Sequence, residues 1–199
     1  MFRKRTFTFP GFLISVLMNA LYSPRLVAAI IRPSTSAALR EQVMLGCTSV
    51  NECRYCDWLH THLALKNAVN VDELNQFLAN PEGTTLPCDI AVAVLYAQHF
   101  AEQKTHTSTE AKQRLKNVFG LWKRMEIHAY LHAIYFGNLA GNTFDALLGR
   151  FRGQPKQDSS VITEVIVSAV AAPVLLRIAY HARKGQDQRF ATNSKTVSS

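Results

Sequence analysis

The chain has 199 residues, enough for one domain with a proper core, and its 48% hydrophobic and 18% charged content excludes a disordered chain. The net charge of +8 does not indicate a nucleic-acid groove. Residues 1–5 and 177–199 hold eight of the 22 basic residues and one of the 14 acidic ones, leaving a nearly neutral body of 14 against 13.

In chain order, the first element is an N-terminal hydrophobic segment, residues 1–22, in which Arg3, Lys4 and Arg5 precede a stretch with no charge before Arg25. It resembles a signal peptide or an anchor, but Pro10, Gly11, Ser15 and Asn19 interrupt it and no small-residue cleavage site follows. Its strongly apolar part, 12–22, is about half the roughly 20 residues that a membrane span needs. We read it as a first helix packed on the body or lying on a membrane surface. Ser23 and Pro24 look like the cap and first residue of a new helix running to Arg32. After a break at 33–36, Ala37–Gly46 resumes as a buried helix carrying Glu41.

The next stretch carries the chemistry. A helix from Glu52 to Asn67, opened by Asn51 as N-cap, puts Cys53 and Cys56 at i and i+3, with His60 at i+4 from Cys56. Two thiols one turn apart can close into a reactive disulfide. Cys53, in the first turn, is expected to feel the positive end of the helix, and His60 to take the proton of Cys56. A hairpin around Ser49–Asn51 would return Glu41 to the same region as a base, acting directly or through a water. A zinc site built from Cys47, Cys53, Cys56 and His60 or His62 is the competing arrangement, but no second C-x-x-C supplies its other half. Cys47 and Cys88 are expected in the core, with Cys47 close enough to the hairpin to act as a second resolving thiol.

Beyond this, Asn70 and Glu73 form a capping box for a helix to Leu78, and 80–85 is a loop. Leu86–Glu102 reads as a core helix, with His99 facing its packing or the thiol site. Thr107 and Glu110 cap an exposed helix to Phe119, and Gly120 permits a bend. His128 and His132 follow at i and i+4; without the glutamate of H-E-x-x-H they are expected to serve helix packing. Asn138 and Asn142 should hydrogen-bond within a helix interface. Residues 154–160 form a linker before a C-terminal hydrophobic helix, 161–184, which is apolar all round and so suited to burial, an oligomer interface or lipid. Basic residues at the outer ends of both terminal segments would put both termini on the cytoplasmic side of a membrane-attached protein. The tail, 185–199, is polar and expected to be disordered.

Glu41, eleven residues, Cys53, two residues, Cys56, three residues, His60: this pattern resembles the signature of the alkylhydroperoxidase D (AhpD) group of the carboxymuconolactone decarboxylase superfamily. The resemblance runs over about residues 23–153. It implies an all-α, AhpD-like helical domain that is oligomeric and needs no cofactor. It further implies Cys56 as the thiol oxidised to a sulfenic acid, Cys53 as the resolving thiol, and Glu41 and His60 as a proton relay. A hydroperoxide would be the substrate and an external thiol or dithiol protein the reductant. Well-studied members carry a histidine before the second cysteine, where this chain has Tyr55, a poor proton carrier near neutral pH. Four cysteines without a disulfide-framework spacing suit a reducing, cytoplasmic compartment with optional membrane contact. The competing functions are a non-catalytic, redox-sensing membrane-associated protein and a lactone decarboxylase, whose chemistry does not rely on a C-x-x-C pair.

Overall fold

The computed structural model describes residues 4–83 and 86–196, with side chains up to residue 184. Arg3, the last two residues of the 80–85 loop and residues 197–199 of the tail lie outside the described residues. Eight helices follow one another, with no strand among the described residues: α1 (Phe9–Ile31), α2 (Ala37–Asn51), α3 (Arg54–Lys66), α4 (Val71–Ala79), α5 (Cys88–Glu102), α6 (Thr109–Val118), α7 (Leu121–Phe151) and α8 (Val161–Thr196). The all-α class expected from the periodicity is the class found.

The fold is built around α7. Ile127, Tyr130, Leu131, Ile134, Leu139, Ala140 and Phe144 are buried along its length, and α1, α2, α3, α5, α6 and α8 all pack against it. Directions follow from the side-chain pairs. Thr35 meets Glu126 and Thr48 meets Asn138, so α2 runs parallel to α7. Phe7 N–H bonds Thr143 and Arg25 reaches Glu126, so α1 runs antiparallel. Arg150 pairs with Glu164, and Leu175 lies over Gly141, so α8 is antiparallel too. Helices α1 and α8 are therefore parallel to each other, and the start of α1 and the end of α8 point in opposite directions. If both helices spanned a membrane the chain ends would face opposite sides, so the expected placing of both on the cytoplasmic side is compatible with this fold only for attachment to the surface.

Buried carboxylates lock this arrangement. Glu126 accepts from Arg25, from the backbone N–H of Ser34 and Thr35 and from the Thr35 hydroxyl, which fixes the α1–α2 turn onto α7. A buried charge is tolerable only with such a full set of partners. Glu164 likewise takes two bonds from the Arg150 guanidinium and ties α8 to α7. The segment before α1 supplies cations at helix ends: Lys4 bonds the Glu52 carbonyl after α2, and Arg5 the Ala101 carbonyl in the last turn of α5. Both match the negative end of a helix dipole.

Four boundaries differ from expectation. Ser23 and Pro24 start no helix; α1 continues through them. Proline removes the amide that would bond the Ala20 carbonyl, and the Ser23 hydroxyl donates to that carbonyl instead, at 2.8 Å. The helix is thus 23 residues, about 34 Å at 1.5 Å per residue, and not the short element read from 12–22. Helix α6 is capped by Ser108, while Thr107 is held by the Tyr96 hydroxyl. Beyond Lys184, α8 continues to Thr196, so the expected disordered tail is helical over 185–196. A helix already nucleated by a long apolar stretch propagates at little cost through Gln, Arg and Ala. The linker at 154–160 stands between α7 and α8 as expected.

Candidate thiol site

The fourth boundary shapes the site. Asn51 does not open α3; its side chain bonds back to the Cys47 carbonyl at 3.3 Å and completes α2. Glu52 takes a left-handed conformation (φ 56°) as the C-cap of α2, and Cys53 is the N-cap of α3 in extended backbone. The hairpin expected near Ser49–Asn51 is therefore tighter and later, turning at Glu52 and Cys53. Cys53 sits ahead of the helix and Cys56 in its first turn.

The two sulfurs are 3.2 Å apart, in hydrogen-bonding contact and without a disulfide. Cys53 is 0% exposed and Cys56 7%. Glycines on α7 make room for them: a Cβ on Gly141 would stand 2.6 Å from the Cys53 sulfur, and one on Gly137 would stand 3.6 Å from the Cys56 sulfur. Leu175 of α8 reaches the same place, 3.7 Å from where that Gly141 Cβ would be.

The thiols are not equivalent. The Cys56 thiol, and behind it the amides of Cys56 and Tyr55 at the start of α3, hold the Cys53 thiol below its ordinary value despite burial. No cap bond of ordinary geometry forms there, so the amides act at longer range. Cys56 is pushed well up by its hydrogen-bonding contact with Cys53 and by burial. Of the two, Cys53 is thus the more readily ionised. Cys47 lies behind them, wholly buried, with only the amides of Asn51 (3.7 Å) and Asn138 (3.8 Å) against its sulfur; burial pushes its thiol up to about 12. It is a core thiol as expected. Cys88, expected in the core, is exposed at the start of α5.

On the next turn of α3 after Cys56, His60 places Nδ1 2.7 Å from Oε2 of Glu41. Glu41 is 1% exposed and also takes the Arg40 Nε at 2.8 Å. Burial opposes its ionisation, but the bonds from His60 and Arg40 outweigh it and hold the carboxyl below its ordinary value. With the Nδ1 edge of His60 held by the Glu41 carboxylate, Nε2 is the ring nitrogen left for another partner. The structure thus brings the four motif residues together as two joined pairs on one hairpin, and no direct hydrogen bond links the imidazole to either sulfur. The Cβ atoms of residues at i and i+4 on a helix are roughly 5–6 Å apart, so Cys56 and His60 are neighbours on one face of α3.

Tyr55 is tied away from the proton relay. Its hydroxyl bonds Asp145 at 2.7 Å and accepts from Arg54 at 2.9 Å, and burial pushes it up to about 12. His99, expected either in packing or at the site, accepts the Ser108 amide and fixes the α5–α6 turn. His128 meets the Tyr96 hydroxyl, and His132 stacks on Tyr22 at 4.5 Å; both serve helix packing. His62 stacks on Trp58. Among the described residues, no three of the His, Cys, Asp and Glu side chains are grouped to hold a metal ion. Asn138 and Asn142 hydrogen-bond across the α7 interface within the chain, to Thr48 and to the Asn51 carbonyl.

The sequence reading missed the two glycines of α7 and Leu175. In sequence, Gly137 and Gly141 are four residues apart, a small-residue face that invites close helix approach, and that spacing was the available signal. Comparison with protein-family models, with curated proteins and with solved structures finds no match in any of the three.

Proposed function

We propose that the protein is a thiol-dependent peroxidase and disulfide reductase of the AhpD type, using Cys53 and Cys56 as its redox pair. The observation that carries this reading is the 3.2 Å separation of the two sulfurs on a hairpin whose other residues include a buried carboxylate–imidazole pair. The motif Glu41, Cys53, Cys56, His60 resembles that of the alkylhydroperoxidase D group, in which the second cysteine is oxidised first.

By residue, Cys56 is the less completely covered of the two cysteines, and His60 stands on the turn beyond it. In the proposed cycle its proton passes through a water to His60 Nε2, with Glu41 stabilising the imidazolium. The thiolate attacks the terminal peroxide oxygen, the O–O bond breaks, and the leaving alkoxide takes the proton to depart as an alcohol. Cys56 is now a sulfenic acid. The Cys53 thiolate attacks that sulfur and forms the disulfide as the S–O bond breaks, and the departing hydroxide takes a proton from solvent and leaves as water. An external dithiol then attacks the accessible Cys56 sulfur and expels Cys53, whose lowered pKa makes it the better leaving group. The more acidic and deeper thiol is thus suited to resolving, and the shallower one to meeting partners.

The test is stoichiometric oxidation of the reduced protein with one equivalent of an organic hydroperoxide, followed by alkylation and intact-mass analysis. The expected result is loss of two alkylatable thiols mapping to Cys53 and Cys56. In Cys53→Ser, a dimedone-reactive sulfenic acid should persist on Cys56; in Cys56→Ser, peroxide should leave Cys53 unoxidised. Unchanged thiols in the wild-type chain would remove the peroxidase reading.

A further inference from the structure

The outward faces of α1 and α8 are the largest feature that the thiol chemistry does not use. Only 6% of the most apolar stretch of α1 and 28% of that of α8 is buried, and both helices are long and apolar enough to cross a membrane. Phe9, Leu13, Leu17, Leu21, Val27 and Ile31 are exposed on α1; its one charge, Arg25, turns inward to Glu126. On α8 the exposed face is uncharged from Val161 through Leu176, and then Arg177, Arg183 and Lys184 follow. Soluble monomers rarely expose continuous apolar faces of this extent.

Two features select the occupant. Because α1 and α8 run parallel along α7, each apolar face gives way to basic side chains towards the same end of it: exposed Arg32 follows α1, and exposed Arg177, Arg183 and Lys184, with exposed Tyr180, follow the apolar stretch of α8. Apolar helical faces that end in basic and aromatic side chains match the hydrocarbon, interface and anionic headgroups of a bilayer. A span is disfavoured by the rest of the ring around α7. Helices α3, α5 and α6 pack on the same central helix and expose Arg54, Asp57, Asp89, Glu102, Lys112 and Arg114, which a perpendicular insertion would carry into hydrocarbon.

We propose that α1 and α8 form a docking surface for the face of an anionic lipid bilayer, lying in its interface with the thiol-bearing hairpin held on the water side. The test is flotation of the full chain, synthesised in a cell-free system with vesicles present. Phosphatidylcholine vesicles containing phosphatidylglycerol should carry it up the gradient, with binding falling at least about tenfold on pure phosphatidylcholine or at high salt. The double variant Leu17→Glu with Val174→Glu changes two side chains that are 59% and 63% exposed, so folding is spared; it should lose vesicle binding while keeping its helical circular dichroism. Should that variant misfold, quenching of Trp122 fluorescence in a Trp58→Phe background by lipids brominated on the acyl chain gives the same answer. Three results overturn the proposal: no flotation of the wild-type chain, flotation that the double variant retains, or a lipid-free dimer that the double variant dissociates, which would make a second copy the occupant.

Discussion

Gly141 lies so close to Cys53 that a single methyl group on it would stand 2.6 Å from the sulfur, whereas a methyl on Gly137, one turn earlier on α7, would meet the Cys56 sulfur at 3.6 Å. The two glycines look alike in sequence and differ in what they permit. Gly141→Ala must push Cys53 and the start of α3 away from α7, at a cost of about 1–3 kcal/mol. Gly137→Ala makes an ordinary contact and gains the roughly 0.5–1 kcal/mol by which alanine exceeds glycine inside a helix. Chemical denaturation should therefore show Gly141→Ala destabilised and Gly137→Ala unchanged or stabilised. The rate at which peroxide oxidises the thiol pair should fall in the first variant alone.

The Glu41–His60 pair carries a second prediction. Glu41→Gln keeps the shape of the side chain and removes the charge that orients and supports the imidazole. Peroxide oxidation of Cys56 should slow by roughly 10²-fold, the scale of general acid–base assistance. The acid limb of stability should change with it. Glu41 is held below its ordinary value of 4.5, so its contribution is present above that pH and is lost as pH falls through the lower folded value. The variant should show a shallower loss of stability over that range. An oxidation rate equal to wild type would show that the pair only braces the hairpin.

A third concerns His132, which burial holds down to about 4 while its ring stacks on Tyr22 and meets Phe100 edge-on. The unfolded chain binds a proton there below about 6.5 and the folded chain does not, so stability falls as pH drops from 6.5 towards 4. His128, also held low by burial, adds to the same slope. The melting temperature should decline through this window, before the carboxylates titrate, with a loss of about 2 kcal/mol attributable to His132. His132→Gln should flatten most of the slope, and a wild-type melting temperature that is level from pH 6.5 to 4.5 would contradict it.

These residues show what the sequence carried and what it hid. The all-α class, the α2–α3 hairpin and the placing of Cys56 and His60 on one face follow from spacing, because helical period fixes which side chains share a face; Cys53, expected on that face within the helix, stands ahead of it as the cap. Boundaries were lost where a polar side chain had two uses. Asn51 favours an N-cap, yet here bonds backwards to the Cys47 carbonyl; Ser23 favours an N-cap, yet here satisfies the carbonyl that Pro24 leaves free. Local chemistry cannot choose between those bonds; the packing of α1 and α2 on α7 does. The helix-dipole reading did point to Cys53 as the more acidic thiol; what the sequence did not show was the larger cause, the contact with the Cys56 thiol, and the place of Cys53 at the cap and not inside the first turn.

The cover over the site gives the last prediction. Leu175 is buried against the same point on Gly141 that the Cys53 sulfur packs on, while its neighbour Leu176 points outward and is 57% exposed. Alkylation requires a thiolate and a path to it. Cys53 has the favoured thiolate, so its slow reaction in the native protein should be set by access. Leu175→Ala removes the cover without touching the amides at the start of α3, and the alkylation rate of Cys53 should rise about tenfold. The cavity left behind should cost about 2–5 kcal/mol by comparison with other buried leucines. Leu176→Ala serves as the control, expected to alter neither rate nor stability. Peptide mapping after timed alkylation reads Cys53 separately from Cys56, Cys47 and Cys88. Equal Cys53 rates in the two variants, under conditions where both remain folded, would mean that α8 does not gate the resolving thiol.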